Sequence, residues 1–301
     1  MGEICAVVTA SSNSGSACID ELLFKYPGSA RIRAVFRTQA KASTFLEARG
    51  LTDGSELDVV SGVDAKDKPS LKRAFEGAST ALIVTPMDHA AGMQDDAMLT
   101  ANMIEVAKAC GVRHVVYVGS WTVHVPEQIK VISSRFVPTE KLLADDADGL
   151  QWTSLRSGFF YNNLVQMMGS SIKAADAIVL PEGICLPAVD PADIGRAAAA
   201  VISVGGQGHH GKHYEISGPA RLTLPGFAQA FTKGLGRPIA CAPKSVEGFC
   251  EALPPFLAEL IRYLVDAGED AVPLSRDVEM LTGTPAVSFE SWLKANIESF
   301  R

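Results

Sequence analysis

An apolar run over Ile4-Cys5-Ala6-Val7-Val8 stops at Thr9-Ala10-Ser11-Ser12-Asn13-Ser14-Gly15, and a helical pattern follows at once with Cys18, Ile19, Leu22 and Leu23 on one face. Strand, small-residue turn and helix in this order form a βαβ opening in which free backbone N–H groups at the helix start receive a pyrophosphate. The usual three glycines are reduced to one. With Gly15 as the third glycine of G-x-x-G-x-x-G, Thr9 holds the first position and Ser12 the second. This register is preferred because it turns the apolar residues three, four, seven and eight positions later toward a core. A shift by one would instead put Ala10, Asn13 and Ser16 at those positions. The hydroxyl and amide side chains of Thr9, Ser11, Ser12, Asn13 and Ser14 either bond a phosphate or cap the helix without one.

The strand–helix alternation continues. Strands are expected over 3–8, 31–36, 57–61, 81–85, 114–119 and 153–156, with helices near 16–25, 39–49, 69–76, 94–110 and 136–146. Short strands separated by amphipathic helices predict a parallel sheet with right-handed crossovers. Ala81–Val84 and His114–Val118 are apolar on both faces, as central parallel strands are. The second half mixes helices near 161–173, 191–204, 224–235, 246–267 and 287–299 with short strands near 178–181, 185–189 and 213–216. The expected architecture is α/β: a doubly wound parallel sheet over 1–155, and a smaller mixed C-terminal substrate lobe over 156–301 interleaved with the sheet's end.

In such sheets the ligand lies beyond the C-terminal strand ends. Those ends here are Thr9–Gly15, Arg37–Thr38, Thr85–Pro86, Ser120–Trp121 and Arg156–Asn163, all rich in small or polar residues. Where an acidic residue would take ribose hydroxyls, the second strand offers Arg37, with Lys41 one helical turn on. A planar guanidinium suits a 2′-phosphate, so NADP(H) is favoured over NAD.

Composition closes other routes. The chain of 301 residues carries a net charge of −7, which argues against a nucleic-acid surface. No apolar stretch reaches the roughly 20 residues of a bilayer span, and from Met1-Gly2-Glu3, with no basic region and long apolar core after it, no secretory signal is expected. Cysteines at 5, 18, 110, 185, 241 and 250 form no C-x-x-C pair, which predicts free thiols, no metal centre and a cytoplasmic protein.

Several segments resemble the NmrA-like branch of atypical short-chain dehydrogenases. Val35-Phe36-Arg37 through Lys41-Ala42 is similar to that family's second strand and "R-x-x-x-K-A", and Val84-Thr85-Pro86 to its fourth-strand end. Val112–Ser120 resembles its fifth strand, Thr153–Asn163 its "T-x-L-R-P-G-x-F-x-x-N", and Asp190–Arg196 its "D-x-x-D-I-G-R". The tail from Asp277 to Phe300 also matches. The resemblance implies a Rossmann domain, a dinucleotide in the loop, and Phe159 and Tyr161 lining the nicotinamide face or packing the first lobe helix.

The departures concern catalysis. No Y-x-x-x-K pair exists, since Tyr117 is followed four residues on by Trp121 and Tyr161 by Val165. Reductases of this branch place a lysine four residues before the glutamate that is here Glu140, and Phe136 stands there. The remaining candidates are Ser120, His124 and Lys130. Ser120 either ends the strand or bonds a substrate carbonyl or the nicotinamide ribose. His124 is a proton donor or a plain loop residue, and Lys130 a donor or a solvated cation. The expected function is an NADPH-dependent reductase of a small carbonyl, imine or quinone compound, acting as monomer or homodimer. The alternatives are a non-enzymatic NADP(H) sensor with a regulatory protein partner, and a cofactor-free non-redox enzyme on the same fold.

Overall fold

The computed structural model describes residues 3–54, 57–86, 93–146 and 149–301. The chain begins β1 (Ile4–Val8), α1 (Asn13–Phe24), β2 (Arg31–Val35), α2 (Gln39–Arg49), β3 (Leu57–Val60), α3 (Lys68–Phe75), β4 (Ala78–Val84), α4 (Asp96–Ala109) and β5 (His114–Ser120). A 3₁₀ turn (Trp121–His124), α5 (Lys130–Ser133), α6 (Val137–Ala144), β6 (Gln151–Ser157) and α7 (Tyr161–Ala175) follow. Next come β7 (Ala177–Ile178), β8 (Cys185–Leu186), α8 (Pro191–Ser203), β9 (Lys212–Ile216), β10 (Leu222–Thr223), α9 (Leu224–Leu235) and β11 (Ala240–Cys241). The chain closes with α10 (Val246–Cys250), α11 (Pro255–Ala267), α12 (Asp277–Thr282), α13 (Phe289–Asn296) and a 3₁₀ turn over Ile297–Phe300.

Seven strands form one sheet in the order β3-β2-β1-β4-β5-β6-β9. The pairs β2–β3, β1–β2, β1–β4 and β4–β5 all run parallel. This is the doubly wound Rossmann architecture, and strand order reverses between β1 and β4, where such sheets open a crevice. Every residue of β5 is buried, as its two-sided apolar character requires.

Two compact units divide the chain. The first comprises 1–120, 134–156 and 192–214, and the second 121–133, 157–191 and 215–301. In the first, α8 lies against α1 without an intervening side chain. A Cβ on Gly195 would meet Ser14 O at 2.5 Å and Ala17 Cβ at 2.6 Å, so only glycine permits this approach. Burial pushes the Cys5 thiol up to about 12, which leaves it an apolar filler.

The second unit is built on aromatic packing. Tyr161 lies 5.3 Å from both Phe289 and Trp292, and Phe227 and Phe231 meet the Phe289 ring edge-on. Two expectations fail here. The single helix over 246–267 is two, because Pro254 is extended and Pro255 can only start a helix. The last helix stops at Asn296 and tightens into a 3₁₀ turn.

Candidate functional site

The loop from Thr9 to Gly15 leaves β1 beside the ends of β2 and β4. The Ala10 N–H donates to Val35 O at 3.1 Å, and Thr9 Oγ1 reaches Val84 O at 3.4 Å. Thr9 has φ +67°, the left-handed conformation that glycine adopts freely and a β-branched residue rarely does. Gly15 packs against that same turn, where an added Cβ would stand 2.6 Å from Thr9 O. Both facts belong to the register with Thr9 at the first glycine position and Gly15 at the third. The turn keeps its glycine-type geometry although the first glycine has been replaced.

Ser12 is the N-cap of α1, its Oγ accepting the Gly15 N–H at 3.0 Å. A capping hydroxyl still has its own O–H to donate. Among the described residues no acceptor takes the N–H of Asn13 or Ser14. These amides sit at the positive end of a 12-residue helix with no acidic side chain in its first turn. Ser11 and Asn13 are exposed and Ser14 is buried. Free helix-start amides, a donor hydroxyl and a glycine-tight turn fit a pyrophosphate.

Strain at Thr9 has a measurable consequence. Thr9→Gly removes a conformation costing about 1–3 kcal/mol but adds chain entropy to the unfolded state. We expect a net gain of about 1 kcal/mol in urea unfolding; a loss of stability would mean that the 3.4 Å contact to Val84 outweighs the strain.

Beyond β2, Thr38 caps α2 by accepting the Lys41 N–H at 3.3 Å, and this turns Arg37 and Lys41 out from the strand end. Both are exposed, and Arg37 Nη2 lies 3.3 Å from Asp64 Oδ2. Asp64 escapes a reading along the sequence, because its place depends on β3 pairing with β2.

At the ends of β4 and β5, Thr85 and Ser120 are buried and Pro86 is half-buried. Thr85 Oγ1 lies 3.2 Å from the Tyr117 hydroxyl, and Thr100 Oγ1 donates to Thr85 at 3.4 Å. Burial pushes Tyr117 up to about 12, against hydrogen bonds with Thr85 and Thr139. Tyr117 is thus a neutral phenol in the core and no substitute for a lysine-activated tyrosine. Burial also raises the Glu140 carboxyl, but hydrogen bonds from Arg156 and Ser154 outweigh it and hold Glu140 below its usual value. Arg156 Nη2 donates to Glu140 Oε2 at 2.7 Å, and Ser154 Oγ to Oε1 at 2.7 Å. Glu140 therefore fixes β6 to α6 as an ionised carboxylate.

The other candidates belong to the second unit. His124 Nε2 lies 2.7 Å from Glu215 Oε1, an orienting partner that the sequence does not single out. Lys130 is exposed at the start of α5. Phe159 is buried in the apolar core, and Tyr161 is buried with its hydroxyl donating to Val287 O at 3.2 Å. Both aromatics therefore occupy the packing role that the sequence left open.

The NmrA-like family matches residues 3–261. A (4-alkanoyl-5-oxo-2,5-dihydrofuran-3-yl)methyl phosphate reductase of Streptomyces griseus is 30% identical, over 82% of this chain and 86% of its own. Quinone oxidoreductase 2 of Escherichia coli is 29% identical, over 82% and 80%. The crystal structure of an NADPH-dependent quinone oxidoreductase from Escherichia coli complexed with NADPH superposes with a TM-score of 0.79 at 26% identity, covering 98% of this chain and 99% of that one.

Proposed function

Because the chain belongs to the NmrA-like family, we propose that it is an NADPH-dependent reductase of a small organic acceptor of the carbonyl, imine or quinone type. The observation that carries this reading is the tight loop at the start of α1, followed at the end of β2 by two exposed cations. The amides of Asn13 and Ser14, with the hydroxyls of Ser11 and Ser12, would hold the pyrophosphate; Thr9 and Gly15 set the turn that presents them. Arg37 and Lys41 would hold the 2′-phosphate. Thr85, Pro86 and Ser120 would border the nicotinamide half, while Phe159 and Tyr161 pack the core of the second unit. NADPH, when bound, supplies the hydride.

We assign the proton donor to His124, whose Nε2 lies 2.7 Å from Glu215 Oε1, a contact that orients the ring. Ser120 is assigned a hydrogen bond to the acceptor or the nicotinamide ribose, and Lys130 an accessory cation. No helix among the described residues is long and apolar enough to cross a membrane, and a cytoplasmic monomer or homodimer accords with the reading.

Arg37→Ala tests the cofactor assignment. Losing a charge-assisted contact to phosphate should weaken NADPH binding roughly 10- to 100-fold, while NADH binding changes by less than about threefold. Equal losses for both nucleotides in calorimetry would remove Arg37 from the 2′-phosphate.

A further inference from the structure

We infer that Asp64 is a specificity-determining residue at the ribose end of the nucleotide site, and that the Arg37–Asp64 pair lets one site take both NADPH and NADH. The inference rests on the dinucleotide function proposed above.

β2 and β3 run parallel with Val35 opposite Val60, so the segments that follow them leave on the same sheet edge. The Phe36 N–H donates to Val60 O at 2.8 Å and the Val63 N–H to Phe36 O at 3.2 Å. These two bonds bring Asp64 beside Arg37.

The carboxylate is fixed from behind. Its Oδ1 accepts the Lys66 N–H at 2.9 Å, and the Asp64 N–H donates to Ser70 Oγ at 3.0 Å. Its Oδ2 lies 3.3 Å from Arg37 Nη2. The two side chains are 65% and 39% exposed, so the pair is solvated, weak and separable. The carboxylate stays where the backbone holds it when the guanidinium moves.

The two nucleotides meet this pair differently. A 2′-phosphate held by Arg37 and Lys41 would face the negative charge of Asp64, the carboxylate paired with Arg37. A 2′-hydroxyl has no use for the guanidinium and needs an acceptor. Sites that take NAD provide an acidic residue after the second strand for that purpose. Here the second strand ends in Arg37, and the third supplies the acid from beside it. Asp64 thus opposes one nucleotide and serves the other, so replacing it must move the two affinities in opposite directions.

The test is calorimetric titration of the full chain and its Asp64→Asn variant with NADPH and NADH. Adenosine 2′,5′-bisphosphate and AMP serve as fragments that lack the nicotinamide end. Asn keeps the Oδ1 acceptor for Lys66, so the thermal midpoint should stay within about 2 °C, since the pair lost is a solvated surface one. We expect the variant to bind NADPH and the bisphosphate roughly three- to tenfold tighter, and NADH and AMP weaker by a similar factor. Unchanged affinities, or a shift of both nucleotides in the same direction, would overturn the inference. If the unmodified chain binds nucleotides but the opposed shift is missing, only this inference falls. If it binds neither NADPH nor NADH, the dinucleotide function falls and this inference with it.

Discussion

Gly15→Ala should weaken NADPH binding by at least about 100-fold, equivalent to roughly 2.7 kcal/mol. The added Cβ would stand 2.6 Å from the Thr9 carbonyl oxygen and 2.9 Å from Ser12 Oγ. Ser12 can rotate, but the carbonyl cannot retreat. Thr9 is already at φ +67°, and its oxygen accepts the Ser12 N–H at 2.9 Å. Either α1 moves away from β1 or the turn opens, and both displace the amides of Asn13 and Ser14. Displacements near 1 Å are enough to lose most of a positioned interaction. The same clash should cost about 1–3 kcal/mol of stability through overpacking, read from urea unfolding. An alanine variant that binds NADPH normally would place the nucleotide somewhere other than this loop.

The second large effect lies in the structure behind the site. Asp96, at the start of α4, is fully buried, and Arg135 Nε donates to its Oδ2 at 2.7 Å. Arg135 is itself buried and lies over the Phe136 ring at 4.9 Å. Two desolvated charges of this kind depend on one another. Asp96→Ala leaves a guanidinium in the core without its carboxylate, and we expect a loss of about 3–5 kcal/mol in chemical denaturation. The exposed Lys68–Glu105 pair, at 2.8 Å, is the control: breaking it should cost under about 1 kcal/mol despite a nearly identical distance. Equal effects for the two pairs would contradict the assignment, because burial is what separates them.

What the sequence reveals follows from how local each feature is. The first strand, loop and helix are legible because their apolar periodicity switches from continuous to helical within a few residues. The register that puts Thr9 at a glycine position comes from the same pattern; the left-handed φ of +67° at Thr9 is seen only in the structure. Arg37 is legible because it directly follows a strand. Asp64 is not, since its role exists only once β3 is laid beside β2, and neither is Glu215 beside His124.

The C-terminal half is harder for a related reason. Its elements are short, and α12 spans only six residues, too few for a helical repeat to stand out. Pro254-Pro255 interrupts what hydrophobic spacing alone reads as one helix. Tyr161 shows a different limit. An aromatic after the sixth strand suits a cofactor wall or a core equally well, and only its packing against Phe289 and Trp292 reveals which surroundings it has.

Following NADPH absorbance in purified protein as a quinone is added separates a reductase from a nucleotide sensor. We expect NADPH loss that depends on the quinone, saturates with its concentration and disappears in Gly15→Ala. NADPH that binds yet stays unoxidised with quinones, imines and activated carbonyl compounds alike would contradict it, and would leave a nucleotide-sensing protein in place of a reductase.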